Sequence, residues 1–317
     1  MSAAATGGYV HDALFYGSDD ELVAAAVPFV RAGLDVGESV LLVCAERNTA
    51  LLTEALGRDP RIGSLPRGEV YRRAPAAIAA YRWMMREEMN AGARRVRVLG
   101  EVDFGAGPAD WAEWTRFEAV VNRALAPYPL WGVCMYDTRR LPRQVLEDAK
   151  LTHPNMSTRT SRAPNPDYID PGEFLRRFAP EWPDPLEASQ PALHIDDAVD
   201  LRLLRHNVTA AFAGSPWSPD AVDGFVVAVN EMATNARIYG RAPVRVRLWS
   251  TAGRALCAVT DQGSGFDDPY VGYVLAESED LSRGGMGWWL ARQLCDEVHA
   301  TTASEGFTVR VAVNRRD

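Results

Sequence analysis

Three near-continuous apolar runs constrain the first half of this chain more than any other feature. They are Ser39 to Ala45 (SVLLVCA), Val96 to Val102 (VRVLGEV) and Leu130 to Tyr136 (LWGVCMY), and each reads as a buried strand. Asp19 to Gly33, Ala74 to Ala91 and Asp110 to Ala126 carry apolar residues at helical spacing instead. A strand that is apolar on both faces must be covered on both, and helices placed between strands supply that cover. The pattern predicts an N-terminal α/β parallel-sheet domain.

A second feature limits its chemistry. Lys150 is the only lysine among 317 residues, and it stands between Ala149 and Leu151. A phosphate-binding P-loop needs Gly-Lys-Ser/Thr to hold the β- and γ-phosphates, so that motif is absent. Lysine Schiff-base chemistry is almost excluded by the same count. A formal charge of −8 repels phosphate backbones, which argues against direct nucleic-acid binding. No apolar run approaches the roughly 20 residues that cross a bilayer. The start, MSAAATGGYVHDALFYG, lacks the basic and apolar regions of a secretion signal. The expected setting is cytoplasmic, without a membrane partner. Cys44, Cys134, Cys257 and Cys295 are widely separated in apolar segments, which suits small core residues rather than a disulfide framework or a zinc site.

From Asn155 to Gln190 the sequence turns polar and proline-rich, and residues 156–190 read as a linker with one short helix around Glu173 to Phe178. Beyond it the order of elements changes. Leu193 and His194 end a first strand, and Val199 to Ala213 and Ser218 to Tyr239 read as helices. Ser218-Pro219 is a good cap and first-turn pair. Arg245 to Ser250, Ala255 to Thr260 and Thr308 to Val313 read as strands, and Gly287 to Val298 as a further helix. Separate runs of helices and strands predict an α+β sandwich with helices on one face of a mixed sheet. The length suits two domains of about 150 residues each.

Three segments of this second half carry chemistry. In VNEMATNARIYG, Glu231 and Asn235 lie four residues apart and project from one helix face. A carboxylate and a carboxamide there supply a general base and an oxygen ligand for Mg²⁺; such a pair is also what a solvated helix face looks like. In DQGSGF, Asp261 ends a strand and two glycines let backbone approach a ligand, or simply form a polar loop. In SRGGMGWWL, a glycine-rich turn opens a helix, where outward N–H groups and the helix dipole suit phosphate. The long polar stretch from Asp267 to Arg283 suits a lid.

In this order the three segments resemble the N, G1 and G2 boxes of the GHKL (HATPase) superfamily, closest to its anti-sigma-factor serine/threonine kinases, over residues 191–316. The resemblance implies ATP and Mg²⁺ as cofactors. It implies Asn235 as the Mg²⁺ ligand, Glu231 as the catalytic base and Asp261 as the contact to the adenine amine. Gly263 and Gly265 would shape the adenine pocket, Gly285 and Gly287 would flank the phosphates, and Arg283 would reach them from the lid. Asp296 matches a structural acid. The implied reaction is phosphorylation of an antagonist protein, or sequestration of a sigma factor.

Two departures from the pattern matter. Trp288 replaces the usual leucine and, beside the phosphates, could narrow the site or pack into the lid, which keeps open a non-catalytic nucleotide-binding adaptor. Arg237 and Tyr239 replace a histidine-containing ending of the first box. A sensor histidine kinase is a weaker alternative, because His194 lies in a strand-like segment and His206 lacks the acid-leucine-arginine context of a phosphoacceptor.

Residues 8–155 resemble the MEDS sensory domain. The match runs through His11 with Phe15-Tyr16, Phe29-Val30, Gly33-Leu34, Gly37-Glu38, Glu113 to Glu118 around Trp114, Tyr136-Asp137 and Leu151-Thr152-His153-Pro154. It implies a degenerate RecA/P-loop-like core without Walker A that senses a small-molecule signal. Glu46, Glu101, Asp103 and Asp137 fall at strand ends, where such sheets form pockets. His11 and His153 suit a ligand or metal, or local hydrogen bonds; Trp111 and Trp114 read as core. A homodimer is left open.

Overall fold

The computed structural model describes residues 8–105, 107–177, 183–197, 200–266, 268–273 and 285–315. Its internal contacts divide the chain into two units, Met1–Phe178 and Ala179–Asp317.

The first unit is built on a seven-stranded sheet. Its strands are β1 (Val10–Tyr16), β2 (Ser39–Val43), β3 (Ile62–Ser64), β4 (Val96–Gly100), β5 (Leu130–Asp137), β6 (Asn155–Ser157) and β7 (Arg162–Pro164), in the order β3-β2-β4-β5-β1-β6-β7. Every neighbouring pair is parallel except β6 with β7. The helices are α1 (Asp19–Asp35), α2 (Glu46–Ala55), α3 (Arg67–Val70), α4 (Ala74–Asn90), α5 (Pro108–Ala124), α6 (Arg143–Thr152) and α7 (Pro171–Arg177). Helix α1 starts where expected because the Ser18 hydroxyl accepts from the Glu21 amide and three acids follow it.

The sequence pattern does not mark β1 as a strand, although it lies inside the sheet between β5 and β6. Its apolar run is interrupted by His11 and Asp12, which are nonetheless buried. Ion pairing makes Asp12 tolerable there: its carboxylate accepts from Trp131, Ser157 and Arg162, the last at 2.7 Å.

Those contacts also recruit chain that reads as linker in the sequence. Residues 155–177 contribute β6, β7 and α7 to the first unit, with Phe174 and Leu175 of α7 buried. Residues 185–188 form a short 3₁₀ turn belonging to the second unit. Asp184 and Glu187 hold that turn by binding Arg254 and Arg310 at 2.7 and 2.6 Å.

The second unit comprises β8 (Leu193–Asp196), α8 (Leu201–Ala210), α9 (Pro219–Tyr239), β9 (Arg245–Ser250), β10 (Arg254–Asp261), α10 (Gly285–Leu294), β11 (Glu297–Ala303) and β12 (Gly306–Asn314). The sheet order is β11-β12-β10-β9-β8, and all four pairings are antiparallel. The mixed sheet expected from sequence is therefore corrected: β9–β10 and β11–β12 are hairpins, and the α8–α9 pair returns the chain so that β9 runs against β8. The helices pack through Phe225, Val229 and Met232 of α9 onto Val246, Cys257 and Val311 of the sheet. Helix α10 stops at Leu294, short of the expected Val298, and the chain enters β11 almost at once. Asp296 sits at that junction and accepts from the Asn314 amide at 2.6 Å.

Candidate functional site

In the second unit the three sequence segments meet around one cavity of about 450 Å³, a size suited to a small organic ligand. Helix α9 contributes Asn235 to its lining, the turn after β10 contributes Asp261, Gly263 and Gly265, and the start of α10 contributes Gly285. Helix α9 is positioned by its Ser218 cap, which accepts from the Ala221 amide, and by a buried stripe from Phe225 to Ala236. One face of the helix is thereby committed to the core, and Glu231 and Asn235 are left half-buried beside it.

Glu231 and Gly287 do not line the cavity itself but adjoin it. A Cβ added at Gly287 would come within 2.9 Å of Glu231 Oε2 and 3.2 Å of Asn235 Nδ2. A larger residue at 287 would push the ends of the Glu231 and Asn235 side chains aside, and glycine lets α10 lie against both undisturbed. Neither the Glu231 carboxylate nor the Asn235 amide nitrogen has a hydrogen-bond partner among the described residues, and that nitrogen is buried. A buried polar atom without a partner is costly unless a ligand or water completes it.

Asp261 is 4% exposed at the end of β10. Its Oδ1 accepts from the amides of Arg241, at 3.1 Å, and Gly263, at 2.6 Å. Oδ2 takes no hydrogen bond among the described residues, which leaves one acceptor for a donor in the cavity. Gly265 adopts φ +61°, and a side chain there would run into the Phe307 ring. Glycine is required at that position twice over.

Trp288 does not fill the space beside the glycine turn. It is 5% exposed, joins the hydrophobic core, and packs edge-on against Phe266 at 5.2 Å, so its indole forms cavity wall. Of the stretch expected as a lid, only residues 268–273 are described. They are tied to α10 by Arg292, which donates to the Val271 carbonyl at 2.7 Å and lies over the Tyr273 ring. Arg283 lies outside the described residues. Arg237 and Tyr239 are exposed near the end of α9, with Tyr239 at the cavity edge. His194 and His206 are both exposed, the former 3.2 Å from Asp196.

In the first unit the acids at the strand ends are mostly partnered. Glu101 accepts from the Ala45 amide and from Asn48, and Arg67 lies 3.6 Å from it and 2.8 Å from Asp103. Asp137 is bound by Arg139, whose hydrogen bonds hold its carboxyl below the usual range. Glu46 is exposed at the start of α2. Trp114 is buried against Tyr71 and Phe117, and Trp111 is half-buried. His11 and His153, by contrast, meet in the interior with their ring centroids 3.9 Å apart. Sequence reading paired neither of them with Cys134, nor singled out Asn122, which holds His11 from α5.

The second unit thus packs α8, α9 and α10 against an antiparallel sheet, with a cavity between α9, the turn after β10 and the glycine turn that opens α10. Residues 196–313 match the model of the histidine kinase-like ATPase domain. Residues 10–154 match that of the methanogen/methylotroph, DcmR sensory domain, or MEDS. The chain therefore joins a MEDS sensory domain to a domain of the GHKL ATPase type, the organisation of a signalling regulator. Among solved structures, the histidine kinase domain of the E. coli osmosensor EnvZ is similar at 19% identity, covering 41% of this chain and 92% of that one, with a TM-score of 0.24. No curated protein matches the chain. Among the described residues, no helix is long and apolar enough to cross a membrane.

Proposed function

We propose that the second unit binds ATP with Mg²⁺ and transfers the γ-phosphoryl group to a serine or threonine hydroxyl of a partner protein, under control of the MEDS domain. The observation that carries this is the convergence of Glu231, Asn235 and Gly287. A base, an amide and a glycine sit together beside a ligand-sized cavity, with polar groups that the protein itself does not satisfy. An amide can present either of its polar atoms to a ligand by rotating, so the donor set fits a magnesium nucleotide. Bound Mg²⁺ would supply charge neutralisation at the phosphates.

The chain's own residues divide the remaining work. Asp261 keeps Oδ1 on two backbone amides and offers Oδ2 to the adenine amine. Gly263 and Gly265 keep the turn close, and the start of α10 presents backbone N–H groups for phosphate. Glu231 takes the proton from the attacking hydroxyl, whose oxygen bonds to the γ-phosphorus as the bond to the departing ADP breaks. Arg283 would assist at the phosphates. The partner class is an anti-sigma-factor antagonist; sequestration of a sigma factor is the other output this domain type supports. The packing of Trp288 into the cavity wall supports transfer over a purely non-catalytic adaptor.

The test is incubation of the full chain with γ-labelled ATP, Mg²⁺ and candidate antagonist proteins. Label on an antagonist serine, lost in Glu231→Ala with ATP binding kept, supports the assignment. ATP bound without transfer to any partner would leave the adaptor instead.

A further inference from the structure

Among the described residues, an enclosed cluster of chemically active side chains lies in the other unit. His11 on β1, Glu118 on α5, Cys134 on β5 and His153 just after α6 direct one ligand atom each to a common point, all within 4.8 Å of one another. The two histidines and Glu118 are at most 1% exposed.

Hydrogen bonding fixes the histidine tautomers. The Asn122 amide nitrogen donates to three carbonyls, of Glu118, Ala119 and Thr152, so its Oδ1 can only accept. His11 Nδ1 lies 3.1 Å from that oxygen and must carry the proton. His153 Nδ1 lies 2.8 Å from the Ala149 carbonyl and must donate as well. Both Nε2 atoms therefore turn inward, toward Glu118 Oε2 at 3.2 and 3.5 Å. Neutral rings face the carboxylate with lone pairs, a repulsion that a cation between them relieves; the Tyr136 hydroxyl lies 3.5 Å from His153 Nε2 and the Cys134 thiol 3.6 Å from Glu118 Oε2. Glu118 Oε1 is also buried without a partner.

From this geometry we infer that the cluster is a binding site for a divalent transition-metal ion of the zinc class. A tetrahedral site with ligands about 2.0–2.3 Å from the ion has ligand-to-ligand edges of roughly 3.3–3.8 Å. Four edges are seen: His11–Glu118 at 3.2 Å, His11–Cys134 at 3.3 Å, His153–Glu118 at 3.5 Å and Cys134–Glu118 at 3.6 Å. Two imidazoles, a thiolate and a carboxylate form a borderline-soft set that suits Zn²⁺ or Co²⁺ rather than Mg²⁺ or Ca²⁺. The charges also balance. On binding, the Cys134 thiol releases its proton to solvent, and thiolate plus carboxylate neutralise the dication, so no net charge is buried. The outward Nδ1–H bonds to Asn122 and Ala149 are the outer-shell contacts that orient metal-ligating histidines. Such an ion would tie β1, α5, β5 and the end of α6 together. The inference is independent of what the second unit binds.

The full chain, reduced and stripped of metal, is loaded with Zn²⁺ or Co²⁺ alone, dialysed and assayed for bound metal. The expected result is one Zn²⁺ per chain and, with Co²⁺, tetrahedral visible bands plus a thiolate-to-metal charge-transfer band. Cys134→Ser, checked by circular dichroism to be folded, should lose the charge-transfer band, and Asn122→Ala should bind about 10–100-fold more weakly. A folded chain that takes up neither metal overturns the inference and leaves a proton-held His11–Glu118 pair. Metal uptake that Cys134→Ser and His153→Ala leave unchanged overturns it too, by placing the ion elsewhere.

Discussion

The two units bury polar groups in opposite ways. In the MEDS unit, His11, His153 and Glu118 face one another in an enclosed interior and are braced by Asn122 and backbone carbonyls. In the ATPase-type unit, Glu231, Asn235 and Asp261 stand beside a cavity of about 450 Å³, and part of their hydrogen-bonding capacity goes unused. The enclosed cluster is held by the protein around it, so its loss should register as stability. The cavity groups serve something that arrives from outside, so their loss should register as affinity and turnover.

The sharpest break with that contrast would come from Glu231. Glu231→Ala should reduce phosphoryl transfer by about 10²–10⁴-fold, the usual weight of a general base, while the melting temperature of the second unit stays nearly constant. A fall in stability that accounts for the lost activity would make Glu231 a structural residue. Glu118→Ala should do the reverse, lowering the stability of the first unit by about 2–4 kcal/mol, because the Cys134 thiol loses its acceptor and the side chain leaves a void in an enclosed interior. Denaturant unfolding of the variant checks it, and an unchanged midpoint would contradict the enclosed-cluster description. Gly287→Val places a side chain against Glu231 and Asn235 and should weaken ATP binding by at least about tenfold, or about 1.4 kcal/mol. Calorimetric titration with ATP gives the number.

The smallest effect concerns acid stability. Arg139 holds the Asp137 carboxyl below the usual range. A carboxyl with a lowered folded-state pKa contributes stability above its unfolded value near about 3.9. That contribution is lost as pH falls through the folded value. Melts of Asp137→Asn should therefore match a vertical offset from wild type at neutral pH and converge on it below about pH 4. A constant offset down to the lowest pH would remove the ion pair from the account.

How far the sequence disclosed all this differs between the units for a physical reason. In the ATPase-type unit the information is local. Ser218-Pro219 marks the start of α9, β9 spans Arg245–Ser250 as its alternation predicts, and the glycines announce the turns. The ends of elements were less legible. Helix α10 yields to β11 at Asp296 through a bond to Asn314, eighteen residues on, with no glycine or proline to announce the stop. In the MEDS unit the decisive contacts are remote. Strand β1 is disguised by His11 and Asp12, whose partners Asn122, Cys134 and Arg162 lie more than a hundred residues away. Cys134 reads in sequence as an ordinary core residue, and only the sheet, by pairing β1 with β5, sets it beside His11.

Calorimetric titration of the full chain with ATP, with and without Mg²⁺, and of Asp261→Asn in parallel, tests the nucleotide cavity most directly. Asparagine keeps Oδ1 for the Arg241 and Gly263 amides but turns a donor toward the adenine amine. The account predicts one ATP per chain, bound more tightly with Mg²⁺ and weakened about tenfold or more in the variant. No binding at millimolar ATP, or binding that Asp261→Asn leaves untouched, would contradict it.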